Sequence, residues 1–151
     1  MKPIVNRQAR HDYEILETYE AGLVLAGHEV KSIKQGNISL KGAYVTLKQS
    51  PTPELYLTNA AVGAYAKAGP LPEYDPRRSR KLLVKKLEIK SLIGKLQTKG
   101  LTLVPLRVYT KRSRIKLEFG LARGKKKHDK KETLKRRDIE RDIKRTLKNH
   151  G

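Results

Sequence analysis

Arg114-Ile115-Lys116-Leu117-Glu118-Phe119-Gly120-Leu121-Ala122 alternates cleanly, with Ile115, Leu117, Phe119 and Leu121 on one face and Lys116 and Glu118 on the other. A period of two with apolar residues on one side is the mark of a half-buried strand. Thr102 to Thr110 is a second strand just before it, and the two read as an antiparallel pair. Further upstream, Tyr13 to Leu25 carries Tyr, Ile, Glu, Tyr, Ala, Leu and Leu at its odd positions, which predicts a long strand with one mostly buried face. Strand candidates at Ala43 to Lys48 and Leu55 to Thr58 are joined through Ser50-Pro51-Thr52-Pro53, where two prolines demand a turn, so they read as a hairpin.

Helical spacing is rarer. Val30 and Ile33, followed by Gly36 as a stop, predict a short helix over Glu29 to Gln35. Leu83, Leu87, Leu92, Ile93 and Leu96, at mostly helical spacings and with Gly100 as terminator, predict a longer one from about Lys85 to Lys99. Between the hairpin and this helix, a strand candidate near Ala60 to Tyr65 leads into Gly63 to Arg80, which contains Gly69, Pro70, Pro72 and Pro76 and predicts a long exposed loop. Five or six short strands with few helices give an all-β fold with accessory helices, in the form of an OB-fold-like antiparallel β-barrel; a β-sandwich is the alternative.

The chain has 151 residues, room for one domain and a tail. Charge divides it unevenly. Residues 1–75 carry eight basic and eight acidic side chains, whereas residues 76–151 carry 27 and seven, and the whole chain nets +20. One half made cationic points to a polyanion, and the basic segments lack the Trp, Phe and Leu anchors of a membrane-surface helix, so nucleic acid is expected and a membrane is not. Seven Tyr and one Phe make stacking on bases a minor part beside phosphate and shape contacts. The sequence contains no cysteine, which excludes disulfides, thiolate nucleophiles and Cys-ligated zinc. The longest apolar stretch, Ala21 to Gly27, is too short to span a membrane, so a cytoplasmic location is expected.

Two domains of behaviour follow. Residues 1–122 form the body. Residues 123–151, with 13 basic and five acidic residues and only Leu134, Ile139, Ile143 and Leu147 as large apolar side chains, form a basic tail expected to be disordered when free. Glu132 with Arg136 and Glu140 with Lys144, each four residues apart, would support a helix once a partner neutralises the remaining charge.

Signatures of catalysis are scarce. Gly120 to Lys125 has three residues between its glycines where a phosphate-binding loop needs four, and Lys126 stands where Ser or Thr must hold magnesium. His11, His28, His128 and His150 lack metal-ligand spacing, and Asp12, Glu14, Glu17 and Glu20 read as a solvated strand face. Neither enzyme nor cofactor is expected. Arg77-Arg78-Ser79-Arg80-Lys81 and Gly124-Lys125-Lys126-Lys127-His128-Asp129-Lys130-Lys131 are the densest basic runs, and two of them in a chain of this charge favour RNA.

Those runs also carry a resemblance. Asn6-Arg7-Gln8-Ala9-Arg10-His11-Asp12-Tyr13, Glu20-Ala21-Gly22-Leu23, Gly27-His28-Glu29-Val30-Lys31-Ser32, Tyr44-Val45, Asp75-Pro76 through Leu83, and Gly124 through Lys131 resemble, in order, the signatures of the SsrA-binding protein (small protein B) family. Lys131 departs from the family's usual Arg, and Thr110 stands where an aromatic is frequent.

The resemblance implies an adaptor of ribosome rescue that binds the tRNA-like domain of transfer-messenger RNA and enters stalled ribosomes for trans-translation, elongation factor Tu delivering the charged RNA. It implies RNA contacts by Asn6, Arg7, His11, Tyr13, Glu20, Arg78, Arg80, Lys81, Leu83 and Lys116. It further implies a tail that becomes helical in the empty messenger channel, with Lys125, Lys126, His128, Lys130, Lys131, Arg136, Arg137 and Arg141 at the decoding centre and along the channel. Lys116 also qualifies on its own, as a cation on the outward face of a strand. A monomer is expected. A structural ribosomal protein with an OB-like domain is the rival reading, and an RNA-modifying enzyme the third.

Overall fold

A computed structural model describes residues 1–125 of the chain. In order the elements are β1 (Ile4–Val5), α1 (Arg7–Asp12), β2 (Tyr13–Leu23), α2 (Gly27–Lys34), β3 (Ile38–Ser39), β4 (Tyr44–Lys48), β5 (Glu54–Thr58), β6 (Ala61–Val62), β7 (Arg80–Leu83), α3 (Lys86–Leu96), β8 (Leu101–Lys111) and β9 (Arg114–Gly124). Seven strands form one antiparallel sheet in the order β1-β8-β9-β2-β7-β5-β4, and β3 pairs with β6 in a separate two-stranded ladder. At one end of that order β4 also lies against β8, near the other end, so the sheet curls around its core.

The expected pair β8–β9 and the hairpin β4–β5 are both present and antiparallel. β9 runs on to Gly124, two residues past the expected end of the body, because Tyr13 and Glu14 continue the ladder opposite Gly124 and Arg123. The core draws on both longer helices as well as the sheet: Ile33 of α2 and Leu92 of α3 are fully buried with Leu55, Leu57, Leu117 and Phe119.

The face of β2 departs from expectation. Its register against β9 shifts between Ile15 and Glu17, so Leu16 is extra and the strand changes sides there. Tyr19 and Ala21 face the main core, whereas Tyr13 and Ile15 pack into a second cluster with Ala9, Val104, Leu106 and Ala122. β8 shifts likewise between Pro105 and Arg107, and a bulge is a place where a proline's missing donor does no harm.

Two further corrections concern the segment before α3. The strand expected at 60–65 is only two residues long, and the loop expected as far as Arg80 ends one residue earlier, where β7 begins. That strand is wedged between β2 and β5. Nor is the loop exposed throughout. The Tyr74 hydroxyl donates to the Val62 carbonyl at 2.9 Å, and the loop's far end is drawn in by a buried charge cluster.

Candidate RNA-binding face

The outer surface of β2, β9 and β8 is divided in two by side-chain size. Toward the end of β9, Gly120 leaves room for Ile15 and Leu106, and Ala9 of α1 packs with Ala122, Val104 and Leu106. Asn6 fixes that helix twice over: its Oδ1 accepts from the Ala9 N–H at 3.3 Å, and its Nδ2 donates to the Pro105 carbonyl at 2.9 Å. At the other end of the same surface no helix among the described residues lies over the strands, and the sequence places charged residues there instead.

Register aligns that open half. Tyr109 of β8 lies opposite Lys116 of β9, Lys116 opposite Gly22 of β2, and Gly22 opposite Leu83 of β7. Directly opposite residues in an antiparallel sheet share a face, so these four form one row. Gly22 has no side chain, and the nearest neighbour a Cβ there would meet is Leu83, at 3.4 Å. Leu83 stays 56 % exposed beside this notch, although its neighbour Leu82 is buried. A second row, Glu20–Glu118–Arg107, runs alongside. Three of the expected RNA-binding residues, Glu20, Leu83 and Lys116, thus meet on one open face although far apart in the chain.

The charges on this face are organised. Glu20 accepts from the Tyr109 hydroxyl and pairs with Lys111 at 3.3 Å; these contacts, that of Tyr109 foremost, hold its carboxyl below the usual range. Burial and the neighbouring Glu20 carboxylate push the Tyr109 hydroxyl up. Arg107 stands over the Tyr109 ring, 4.3 Å from its centroid, and pairs with Glu118 at 3.2 Å, while Arg10 of α1 reaches Glu118 at 3.6 Å. Sequence reasoning did not single out Arg10, Arg107, Tyr109 or Lys111. Arg107 and Tyr109 were nonetheless visible as polar residues alternating with Leu106 and Val108.

Other expected contacts fall elsewhere. Arg7 lies at the start of α1, His11 pairs with Asp12 at 3.1 Å, and Tyr13 is half-buried in the second cluster. Lys81 pairs with Glu54 at 3.3 Å, and Lys125 donates to the Arg10 carbonyl at 3.2 Å. Arg80 is a correction. Its side chain is wholly buried, its guanidinium donating to Glu29, Ala60, Arg78, Tyr74 and Pro76, so it supports the fold and presents no surface to RNA. Arg78 shares Glu29 with it but remains partly exposed. Lys126, His128, Lys130, Lys131, Arg136, Arg137 and Arg141, with the expected helical tail, lie outside the described residues.

The acidic series along β2 is ion-paired on the surface, Glu14 with Arg123, Glu17 with Lys95 and Glu20 with Lys111. Asp12 belongs to α1. Among the described residues, no helix is long and apolar enough to cross a membrane.

Comparison with known proteins identifies the family. A family model described as SmpB protein matches residues 3–149. The SsrA-binding protein of Gloeothece citriformis is 54 % identical over 143 residues, covering 95 % of this chain and 90 % of that one. The SsrA-binding protein of Trichormus variabilis is 50 % identical over 145 residues, covering 96 % and 92 %. A solved structure described as "tmRNA-SmpB: a journey to the center of the bacterial ribosome" superposes with a TM-score of 0.65 at 48 % identity, covering 87 % of this chain and 94 % of that one. With the family model spanning nearly the whole chain and relatives at half identity, the chain belongs to the SmpB protein family.

Proposed function

We propose that this protein is a non-enzymatic, cytoplasmic RNA-binding adaptor of trans-translation, which binds the tRNA-like domain of transfer-messenger RNA and carries it to stalled ribosomes. The observation that carries the reading is the open row Leu83–Gly22–Lys116–Tyr109, a face with a half-buried cation, an exposed apolar side chain and a glycine notch between them. An ammonium there can meet phosphate, while the notch lets a backbone approach the sheet closely. The names of the relatives and the ribosome context of the solved structure point the same way.

The curled antiparallel sheet acts as an OB-like body. Residues beyond Lys125 act as the ribosome-facing tail, with Lys126, His128, Lys130, Lys131, Arg136, Arg137 and Arg141 in the decoding centre and messenger channel and the segment helical when bound. Elongation factor Tu is engaged through the charged RNA. The test is a chain ending at Lys125. It should bind the tRNA-like domain nearly as well as the full chain and fail to support peptide tagging. Tagging at the full-length rate would refute the division of labour, and loss of RNA binding would refute the assignment of the face.

A further inference from the structure

An acidic side chain on a surface that meets phosphate needs a reason, and the geometry around Glu20 supplies one. Its two carboxylate oxygens are occupied by the protein's own donors: Oε2 by the Tyr109 hydroxyl and Oε1 by Lys111 at 3.3 Å. Glu20 is on β2 and Tyr109 on β8, with β9 between them, so the tyrosine must reach across β9 to make this bond. The ring is therefore tied at both ends, to β8 by its backbone and to β2 by its hydroxyl. On it lies the Arg107 guanidinium, 4.3 Å from the ring centroid, tethered in turn by Glu118 at 3.2 Å. Arg107 keeps 38 % of its side-chain surface exposed.

We propose that Arg107 is a nucleobase-stacking contact, that Tyr109 supports it from beneath, and that Glu20 is a positioning residue which fixes Tyr109 and does not itself touch RNA. Unpaired RNA bases stack on guanidinium planes as they do on aromatic rings, and a guanidinium already immobilised by a ring and a carboxylate loses little further freedom on binding. The ligand is an unstacked base of the bound RNA. This inference rests on the open face being the RNA-binding surface.

The experiment measures the affinity of the full chain for the tRNA-like domain of transfer-messenger RNA at fixed salt. Arg107→Lys keeps the charge and loses the plane, so it should weaken binding by about 10-fold or more, close to Arg107→Ala, the scale of one lost stacking contact. Full retention by the lysine variant would make Arg107 a simple phosphate contact and overturn the proposal. Glu20→Ala should also weaken binding, but in the Arg107→Ala background it should cost nothing further; losses that multiply would show that Glu20 meets the RNA directly and would contradict its positioning role. Each variant's thermal unfolding is measured alongside, and the comparison uses those that melt as the parent does. Lys116→Glu separates the two levels. If it loses binding while the Arg107 variants do not, the face stands and the stacking contact falls; if it too binds normally, the face itself is wrong.

Discussion

Arg80 and Glu29 are 51 residues apart in the chain and joined in the interior, Arg80 Nη2 lying 2.6 Å from Glu29 Oε2 with both side chains wholly buried. One stands on β7 and the other on α2, so this contact fastens the helix to the sheet. The pair tolerates burial because it is saturated: Glu29 also accepts from Arg78, from Tyr74 at 3.2 Å and from the Ala26 N–H at 2.9 Å, while Arg80 donates to the Ala60 and Pro76 carbonyls. Removing one partner leaves an uncompensated buried charge, so Arg80→Ala should lower stability by about 3–5 kcal/mol. Replacing both by apolar residues of similar volume should cost much less. Urea unfolding of the single and double variants checks this, and a mild loss for Arg80→Ala would contradict the burial argument.

The same cluster sets an acid limit. Burial pushes the Glu29 carboxyl up, but Arg78, the Ala26 N–H and Arg80 outweigh it and bring the group to about 2, from an ordinary 4.5. A depressed carboxylate stabilises the fold fully above its unfolded pKa and loses that contribution as pH falls through the folded one. The stability Glu29 confers, about 3 kcal/mol on this shift, should therefore drain away between about pH 5 and pH 2. Unfolding free energy followed by urea titration across that range should fall steeply, and a flat profile would count against the linkage.

Gly120 is a site where a methyl does not fit. A Cβ there would come 2.9 Å from Ile15 Cγ2 and 3.2 Å from both the Glu17 carbonyl and Leu106 Cδ1, at the bulge of β2. Gly120→Ala should cost about 1–3 kcal/mol by overpacking. A variant with unchanged melting temperature would show that Leu106 and the bulge yield more easily than their packing suggests.

The turn between β8 and β9 offers the reverse. Arg112 and Ser113 both adopt left-handed backbone, with φ of 53° and 66°, between the paired residues Lys111 and Arg114. A two-residue hairpin turn of this kind favours Asn-Gly, so replacing Arg112 with Asn and Ser113 with Gly together should stabilise the fold by about 1 kcal/mol. Thermal unfolding checks the sign; destabilisation would mean that the native side chains hold the turn in some other way.

How much of this was legible in the sequence depended on whether the signal was local. The β8–β9 pair and the β4–β5 hairpin rest on alternation and turn residues, and they appear nearly where expected. β7 could not be read in this way: its four residues follow a run of arginines and become a strand because β2 and β5 leave a place between them. Arg80 in a basic run reads as surface, and only the distant Glu29 makes it interior. α1 was a missed local signal, since Asn6 stands at the cap position three residues before Ala9. The odd positions of β2 misled because a bulge changes the inward face partway along, and a bulge leaves no periodic trace. The candidate site was named residue by residue through resemblance, yet its meeting on one face follows from register alone.

The central claim is that RNA lies on the open half of the β2–β9–β8 surface and its edge at Leu83. The most direct measurement is amide chemical-shift mapping of the isotope-labelled full chain with the tRNA-like domain added in steps. The largest changes should gather at residues 20–22, 83, 107–109 and 116, with the surface of α3 and the β4–β5 hairpin little affected. Changes concentrated on α3 or that hairpin, with residues 107–116 unmoved, would contradict it.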